Sequence, residues 1–339
     1  MRRIVWRLAV VLAFALVPVT LQAQPTTDIK KVTLAIGGRT LFSYLPLTLA
    51  DTLGYFRDEG LDVETSDFAG GSKSIEALVG GSVQFAAGAY ENTLFLQAKG
   101  ADIKAVALLT DRFGLVFALD KKQAATYKSP KDIKGLKIGV TAPGSAVSNA
   151  LEIILAKDGL TGQDVSMIGI GGGPGAVAAM KAGRVDGLVL SDPAISRLET
   201  DGDIVPIVDS RNEDGQAYLY GGPNANSSVL VQASFAKEHP EIVQRFTNAV
   251  VRTLKWMKKA KPEEVMAKIP PDFYKADKEI YAKSLVRNMD GFTADGHLTQ
   301  KLAAVTFNSV KSSGRITDAD KLDVPRTLDD SFWQKANKH

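Results

Sequence analysis

Residues 34–83 read LAIGGRTLFSYLPLTLADTLGYFRDEGLDVETSDFAGGSKSIEALVGGSV, and residues 136–185 read LKIGVTAPGSAVSNALEIILAKDGLTGQDVSMIGIGGGPGAVAAMKAGRV. Laid over one another at a constant offset of 102, with no gap, they agree at fourteen of fifty positions. The matches include Leu34/Leu136, Ile36/Ile138, Gly37/Gly139, Ser43/Ser145, Gly60/Gly162, Gly70/Gly172, Gly71/Gly173 and Gly81/Gly183. That is well above chance for sequences of this make-up, so one structural unit is used twice.

Each copy alternates strand and helix signals. In the first, Val32–Ile36 is a β-rich run, a helix opens at Pro46 where the missing N–H costs nothing, and a second strand covers Leu61–Phe68. Gly70-Gly71-Ser72 then leads into a helix whose Ile75, Leu78 and Val79 share one face, followed by a strand at Val83–Ala87. The second copy has strands at Lys137–Thr141, Val165–Ile170 and Val185–Leu190. Its helices start at Ser145, with Val147, Leu151, Ile154 and Leu155 as the apolar stripe, and at Pro174. This alternation predicts two α/β lobes, each a mixed, mainly parallel sheet flanked by helices.

The chain between and after the copies supplies the connections. The stretch 112–119 reads as the crossing from lobe one to lobe two, and Ser228–Gln232, after the turn-rich 221–226, as the return. Ser129-Pro130-Lys131-Asp132 has the form of a capping box. Beyond Pro240 the chain reads as helical, with Val243, Phe246, Val250, Leu254 and Met257 facing the core, and further helices near 276–289 and 298–311. The expected division is 24–114 with 232–339 as a discontinuous first lobe, and 115–231 as the second.

Residues 1–23 have a basic start, an uncharged run from Leu8 to Leu21 broken by Pro18, and Ala23 at the end. This reads as a secretory signal cleaved after Ala23, because the 14-residue run falls short of the roughly 20 apolar residues of a bilayer span. Its loss removes three Arg and no acid, taking the formal charge from +3 to 0 (38 basic against 38 acidic). A neutral body argues against nucleic acid as a partner. The composition is otherwise that of an ordinary folded protein, 45% hydrophobic and 23% charged, with no Cys. That absence excludes thiolate metal sites, cysteine nucleophiles and a lipid-anchored N-terminal Cys.

In parallel sheets, ligands sit beyond the carboxyl ends of the strands, near helix N-termini with free N–H groups. Two facing lobes would bring Gly38–Leu45, Gly70–Lys73 and Gly88–Asn92 against Val140–Val147, Gly172–Gly175 and Leu190–Ala194. Arg39, Lys73 and Arg112 fall in or beside these loops and suggest an anionic ligand, though some would be solvated surface charges. Ser72 and Ser145 are placed to hydrogen-bond it, with Gly71, Asn92 and Thr141 in the same loops. Phe42, Tyr44, Tyr90 and Phe113 would either wall the ligand or pack in the core. Asp192 offsets Arg39 or Arg112, or receives an amine, and Glu91 likewise complicates a purely anionic ligand.

Other chemistries fit less well. Gly171–Ala176 satisfies G-x-G-x-x-A after a strand, but Pro174 and its match to Gly70-Gly71 in the other copy favour a tight strand-to-helix loop. The three His, at 239, 297 and 339, form no metal or catalytic constellation, and Ser145 lacks the G-x-S-x-G elbow of a hydrolase. No cofactor and no catalytic residue is expected.

Pro46-Leu47 to Leu49-Ala50, Gly54-Tyr55-Phe56, Glu59 to Glu64, Gly70-Gly71-Ser72 to Leu78, and Gly81 to Phe85 occur in a characteristic order. Lys99-Gly100-Ala101, Asp132 to Gly135, Gly144-Ser145, Gly183 to Asp186, Asp192-Pro193 and Phe235 to Glu241 continue it. In this the chain resembles the substrate-binding proteins of ABC importers in the nitrate, taurine, aliphatic-sulfonate and thiamine-pyrimidine group. The resemblance covers roughly residues 32–250. Gln84 departs from it, since the group usually has Asp there. It implies a two-lobe periplasmic binding protein of type II with two crossover segments. Such a protein closes on a small ligand and docks on an inner-membrane permease; with the basic residues above, the ligand expected here is a small organic anion, a sulfonate or carboxylate, and the protein is expected to be a monomer. A receptor-coupled sensor of the same fold is the alternative, and an exported hydrolase using Ser145 a weaker one. Two enzymes of similar architecture, the yeast-type thiamine-pyrimidine synthase and porphobilinogen deaminase, depend on Cys, which this chain lacks.

Overall fold

The computed structural model describes residues 30–338, so the expected signal segment lies outside the described residues. Ten strands form two five-stranded sheets. β1 (Lys30–Gly37), β2 (Leu61–Phe68), β3 (Phe85–Ala89), β4 (Ile103–Leu108) and β10 (Ser227–Gln232) make the first, in the order β2-β1-β3-β10-β4. β5 (Leu115–Leu119), β6 (Lys137–Val140), β7 (Ser166–Gly169), β8 (Gly187–Ser191) and β9 (Val205–Asp209) make the second, in the order β7-β6-β8-β5-β9. In each, β1/β2/β3 or β6/β7/β8 pair in parallel, while the strand arriving from the other lobe, β10 or β5, runs antiparallel to both neighbours.

The repeat is visible in this layout beyond the matched sequence. β3 and β8 start and end 102 residues apart, and β4 and β9 begin 102 apart. The register of β10 on β4 and of β5 on β9 breaks once in each. Gly37 and Gly139 correspond because both sit where the chain is crowded. A Cβ on Gly37 would lie 2.3 Å from the Gly71 nitrogen, and one on Gly139 would lie 2.4 Å from Ile170. Gln84, just ahead of β3, accepts a 2.8 Å hydrogen bond from the Thr33 N–H, as Asp186 does from the Lys137 N–H. A carboxamide oxygen thus does the work of the carboxylate.

Two boundaries differ from the sequence reading. Residues 227–231, assigned to the second lobe, form β10 in the first sheet, because their backbone groups pair with β3 and β4. Likewise β5 is a full member of the second sheet, so the crossings are the connections 109–114 and 221–226. These run side by side, with Asn224 N–H on Asp111 C=O at 2.9 Å and Asn226 N–H on Thr110 C=O at 3.2 Å.

Each sheet is covered on both faces. Alternation along β1 sends Leu34 and Ile36 to a core with helix Pro240–Lys259, where Phe85 stacks on Phe246 at 4.0 Å. Ala35 faces the other side, with Ile75, Leu78 and Leu94. Val79, expected on that stripe, is 44% exposed, since the helix ends there and turns it outward. In the second lobe helix Ala146–Ala156 buries Val147, Leu151, Ile154 and Leu155 on one face, and helices Pro174–Lys181 and Ala194–Asp201 cover the other. No helix among the described residues is long and apolar enough to cross a membrane.

Candidate functional site

The strand ends of the two lobes meet. A Cβ on Gly70 would lie 2.8 Å from Ala142 Cβ, Ser72 Oγ donates to the Pro143 carbonyl at 3.3 Å, and Leu41 packs against Gly172. Between them lies a cavity of about 20 Å³. Gly37, Leu41, Ser43, Tyr44, Gly71, Ala89, Asn92 and Ser227 line it from the first lobe, Phe113 from the crossing, and Thr141, Ser145, Ala146, Val147 and Ser191 from the second.

The polar groups here are donors or hydroxyls, and none of the lining residues is acidic. Ser145 is the N-cap of helix Ala146–Ala156: its Oγ accepts from the Ser148 N–H at 3.4 Å and from Thr141 Oγ1 at 3.0 Å. Helix Gly71–Val79 begins opposite without a side-chain cap, so two helix N-termini converge on the cavity and favour negative charge. Tyr44 Oη makes no side-chain hydrogen bond among the described residues, and burial pushes its hydroxyl up to about 12, so it is a neutral donor. Asn92 Nδ2 donates to the Ala89 carbonyl at 3.0 Å.

A second cavity of about 40 Å³ shares Ser43 and Ser191 with the first and reaches Phe42, Arg112 and Arg211. Arg112, on the crossing, lines this second cavity together with Asp290 and makes no ion pair among the described residues. Arg211 differs. Its guanidinium, 4% exposed, lies 2.7 Å from Glu199 and Asp209 and 3.4 Å from Asp192, which hold it protonated far above its ordinary value.

Of the residues expected at the ligand, Tyr44, Gly71, Asn92, Phe113, Thr141 and Ser145 line the central cavity, and Phe42 and Arg112 line its neighbour. Ser72 bridges the lobes at the mouth. Four others point elsewhere. Arg39 lies over the Phe273 ring at 5.5 Å, and Lys73 pairs with Glu76 in solvent at 2.7 Å. Tyr90 is wholly buried in the first lobe's core, its hydroxyl bonded to Thr327. Asp192 is wholly buried and offers no free carboxylate: it accepts from the Ser196 N–H, from Asn288 Nδ2 at 2.8 Å and from Arg211. Sequence reasoning missed Arg211 and Asn288 altogether, and also Ser43, whose match to Ser145 in the repeat was the available signal.

Neither partner of the Ser145 hydroxyl is a base, His239 packs on Phe235, and His297 stacks on Trp333 at 3.6 Å. Among the described residues no cluster of acidic or His side chains could hold a metal ion.

Known proteins share this fold. A protein of Bordetella bronchiseptica RB50 has a solved structure that superposes with a TM-score of 0.88 at 40% identity, covering 92% of this chain and 98% of that one. The taurine-binding periplasmic protein of Escherichia coli K12 is 27% identical over 197 residues, 58% of each chain. The alkanesulfonate-binding protein of Xanthomonas axonopodis pv. citri shares the fold, with a TM-score of 0.68 at 18% identity over 89% of this chain and 98% of its own. The Escherichia coli and Xanthomonas relatives are named as binding proteins rather than enzymes. Residues 42–265 match the model of the NMT1/THI5 like family, and the chain belongs to that family.

Proposed function

We propose that this protein is the periplasmic solute-binding component of an ABC importer, capturing a small organic anion, a sulfonate or carboxylate, between its lobes and presenting it to an inner-membrane permease. It acts as a monomer. The observation that carries this reading is the convergence of two helix N-termini and several hydroxyls on a cavity without an acidic lining residue, with Arg112 beside it. The taurine- and alkanesulfonate-binding relatives support the ligand class. The two adjacent crossings provide the hinge about which the lobes close.

Thermal shift and calorimetry against taurine, alkane- and arylsulfonates, aromatic carboxylates, nitrate and pyrimidines test the reading. At a ligand concentration of 100 times Kd, a binder raises stability by about 2.7 kcal/mol. Stabilisation by neutral or cationic compounds alone would overturn it.

A further inference from the structure

Next to the central cavity a groove of about 530 Å³ opens between the lobes, a volume in the range of small-molecule sites. Thr40 and the 272–281 segment of the first lobe form one wall, and helices Pro174–Lys181 and Ala194–Asp201 of the second form the other. Three loops divide their residues between groove and cavity. Thr40 lines the groove and Leu41 the cavity; Gly173 lines the groove while Gly172 lies under Leu41; Pro193 lines the groove and Ser191 the cavity. A Cβ on Gly172 would stand 2.8 Å from Leu41 Cδ2, so the partition at that point is a single leucine side chain resting on a glycine.

The groove has the chemistry of a seat for an apolar body with polar ends. Val177, Phe273 and Ile280 are among its walls; Lys181, Arg197, Asp272 and Asp277 also line it, as does Lys275, which makes no ion pair among the described residues. Tyr281 also lines it, is 3% exposed, and its hydroxyl has no hydrogen-bond partner.

We propose that cavity and groove are two parts of one site. The acidic head of the ligand sits in the cavity, and an extended apolar or aromatic body passes Leu41 into the groove. The ligand class is then an organic anion with a sizeable apolar tail, rather than an inorganic anion or a compact zwitterion. This rests on reading the central cavity as an anion site.

Calorimetric titration with a series from methanesulfonate to octanesulfonate tests it. Affinity should rise about three-fold or more per methylene in the wild type. Val177→Trp, which fills the groove from a partly exposed helix position, should abolish that rise while leaving methanesulfonate binding within about two-fold. Phe273→Ala, which removes one apolar wall, should make the rise shallower and decides the matter if the Trp variant does not fold. A wild-type affinity independent of chain length, or a groove variant that weakens all members equally, overturns the groove assignment and leaves the anion reading standing. Failure to bind any sulfonate or carboxylate overturns both.

Discussion

Asn149, in the second lobe, donates a 2.9 Å hydrogen bond to the carboxyl group of Glu91, in the first. Both residues are buried, and beside them Arg315 of the first lobe lies 3.2 Å from Glu152 of the second. The contact therefore exists when the lobes are together. Burial pushes the Glu91 carboxyl up to about 7; Glu152 adds to the rise, while Arg315 and the Asn149 amide oppose it. The Tyr220 hydroxyl also faces this carboxyl and is itself raised well above its ordinary value, chiefly by burial.

A carboxyl whose folded pKa is raised keeps its proton after the unfolded chain has lost it. Stability is therefore highest below about pH 4.5 as far as Glu91 is concerned, and falls as pH climbs to about 7, by on the order of 3 kcal/mol over that window. Glu91→Gln keeps an oxygen for Asn149 and removes the titration. The variant should melt above the wild type at pH 8, with the gap narrowing towards pH 5. A gap that is the same at both pH values would show that Glu91 is ionised throughout.

Arg211 anchors the other side of the cleft, where Asp192, Glu199 and Asp209 surround it. Replacing it with Met removes the positive charge and leaves the wholly buried Asp192 with only the Asn288 amide and the Ser196 N–H. Breaking a buried pair from one side is strongly unfavourable, so Arg211→Met should lower unfolding stability by about 3–5 kcal/mol in a urea titration. A loss below about 1 kcal/mol would mean that water reaches Asp192 once the guanidinium is gone.

The two α/β lobes and their facing loops were legible because of the repeat: once residues 34–83 are matched to 136–185, each loop of one copy has a counterpart in the other. Side chains that sit directly at strand ends or helix caps, such as Thr141, Ser145 and Tyr44, followed from that placement. Arg39 and Lys73 did not, because a long side chain goes where its partner is, and Phe273 and Glu76 are not signalled by the loop pattern. Asp192 was misread for a similar reason. Arg211 and Asn288, its partners, come from a turn after β9 and from a C-terminal helix with no counterpart in the repeat. Tyr90 illustrates a further limit: strand-end position alone did not reveal that its ring turns into the core, towards Thr327.

Tyr44 separates stability from binding. Its hydroxyl lines the cavity but has no side-chain partner among the described residues, so Tyr44→Phe deletes a polar atom without orphaning another. The melting temperature should stay within about 1 °C of the wild type, since nothing is lost from the fold. Ligand affinity should fall about ten-fold, the equivalent of one hydrogen bond. Unchanged affinity, measured calorimetrically, would place the head group away from this hydroxyl.

Asn288 joins the lobes directly, because its Nδ2 on helix Lys278–Asn288 donates to Asp192 of the second lobe at 2.8 Å, with Arg287 to Glu199 at 3.2 Å alongside. The same side chain packs near the crossing, where a Cβ on Gly114 would lie 2.9 Å from its Oδ1. Asn288→Ala removes a bond to a charged group that exists only with the lobes together, while Asp192 keeps Arg211 and the Ser196 N–H. Such a bond contributes about 1.5–3 kcal/mol, and apparent affinity scales with the fraction of molecules able to adopt the binding conformation. Ligand affinity should therefore drop ten-fold or more, mainly through faster dissociation in stopped-flow chase experiments. Asn288 lines the smaller cavity around Arg112 but neither the central cavity nor the groove, so the loss should be the same whatever the length of the ligand's tail. A loss that varied with ligand length would mean that Asn288 acts on the ligand rather than on closure.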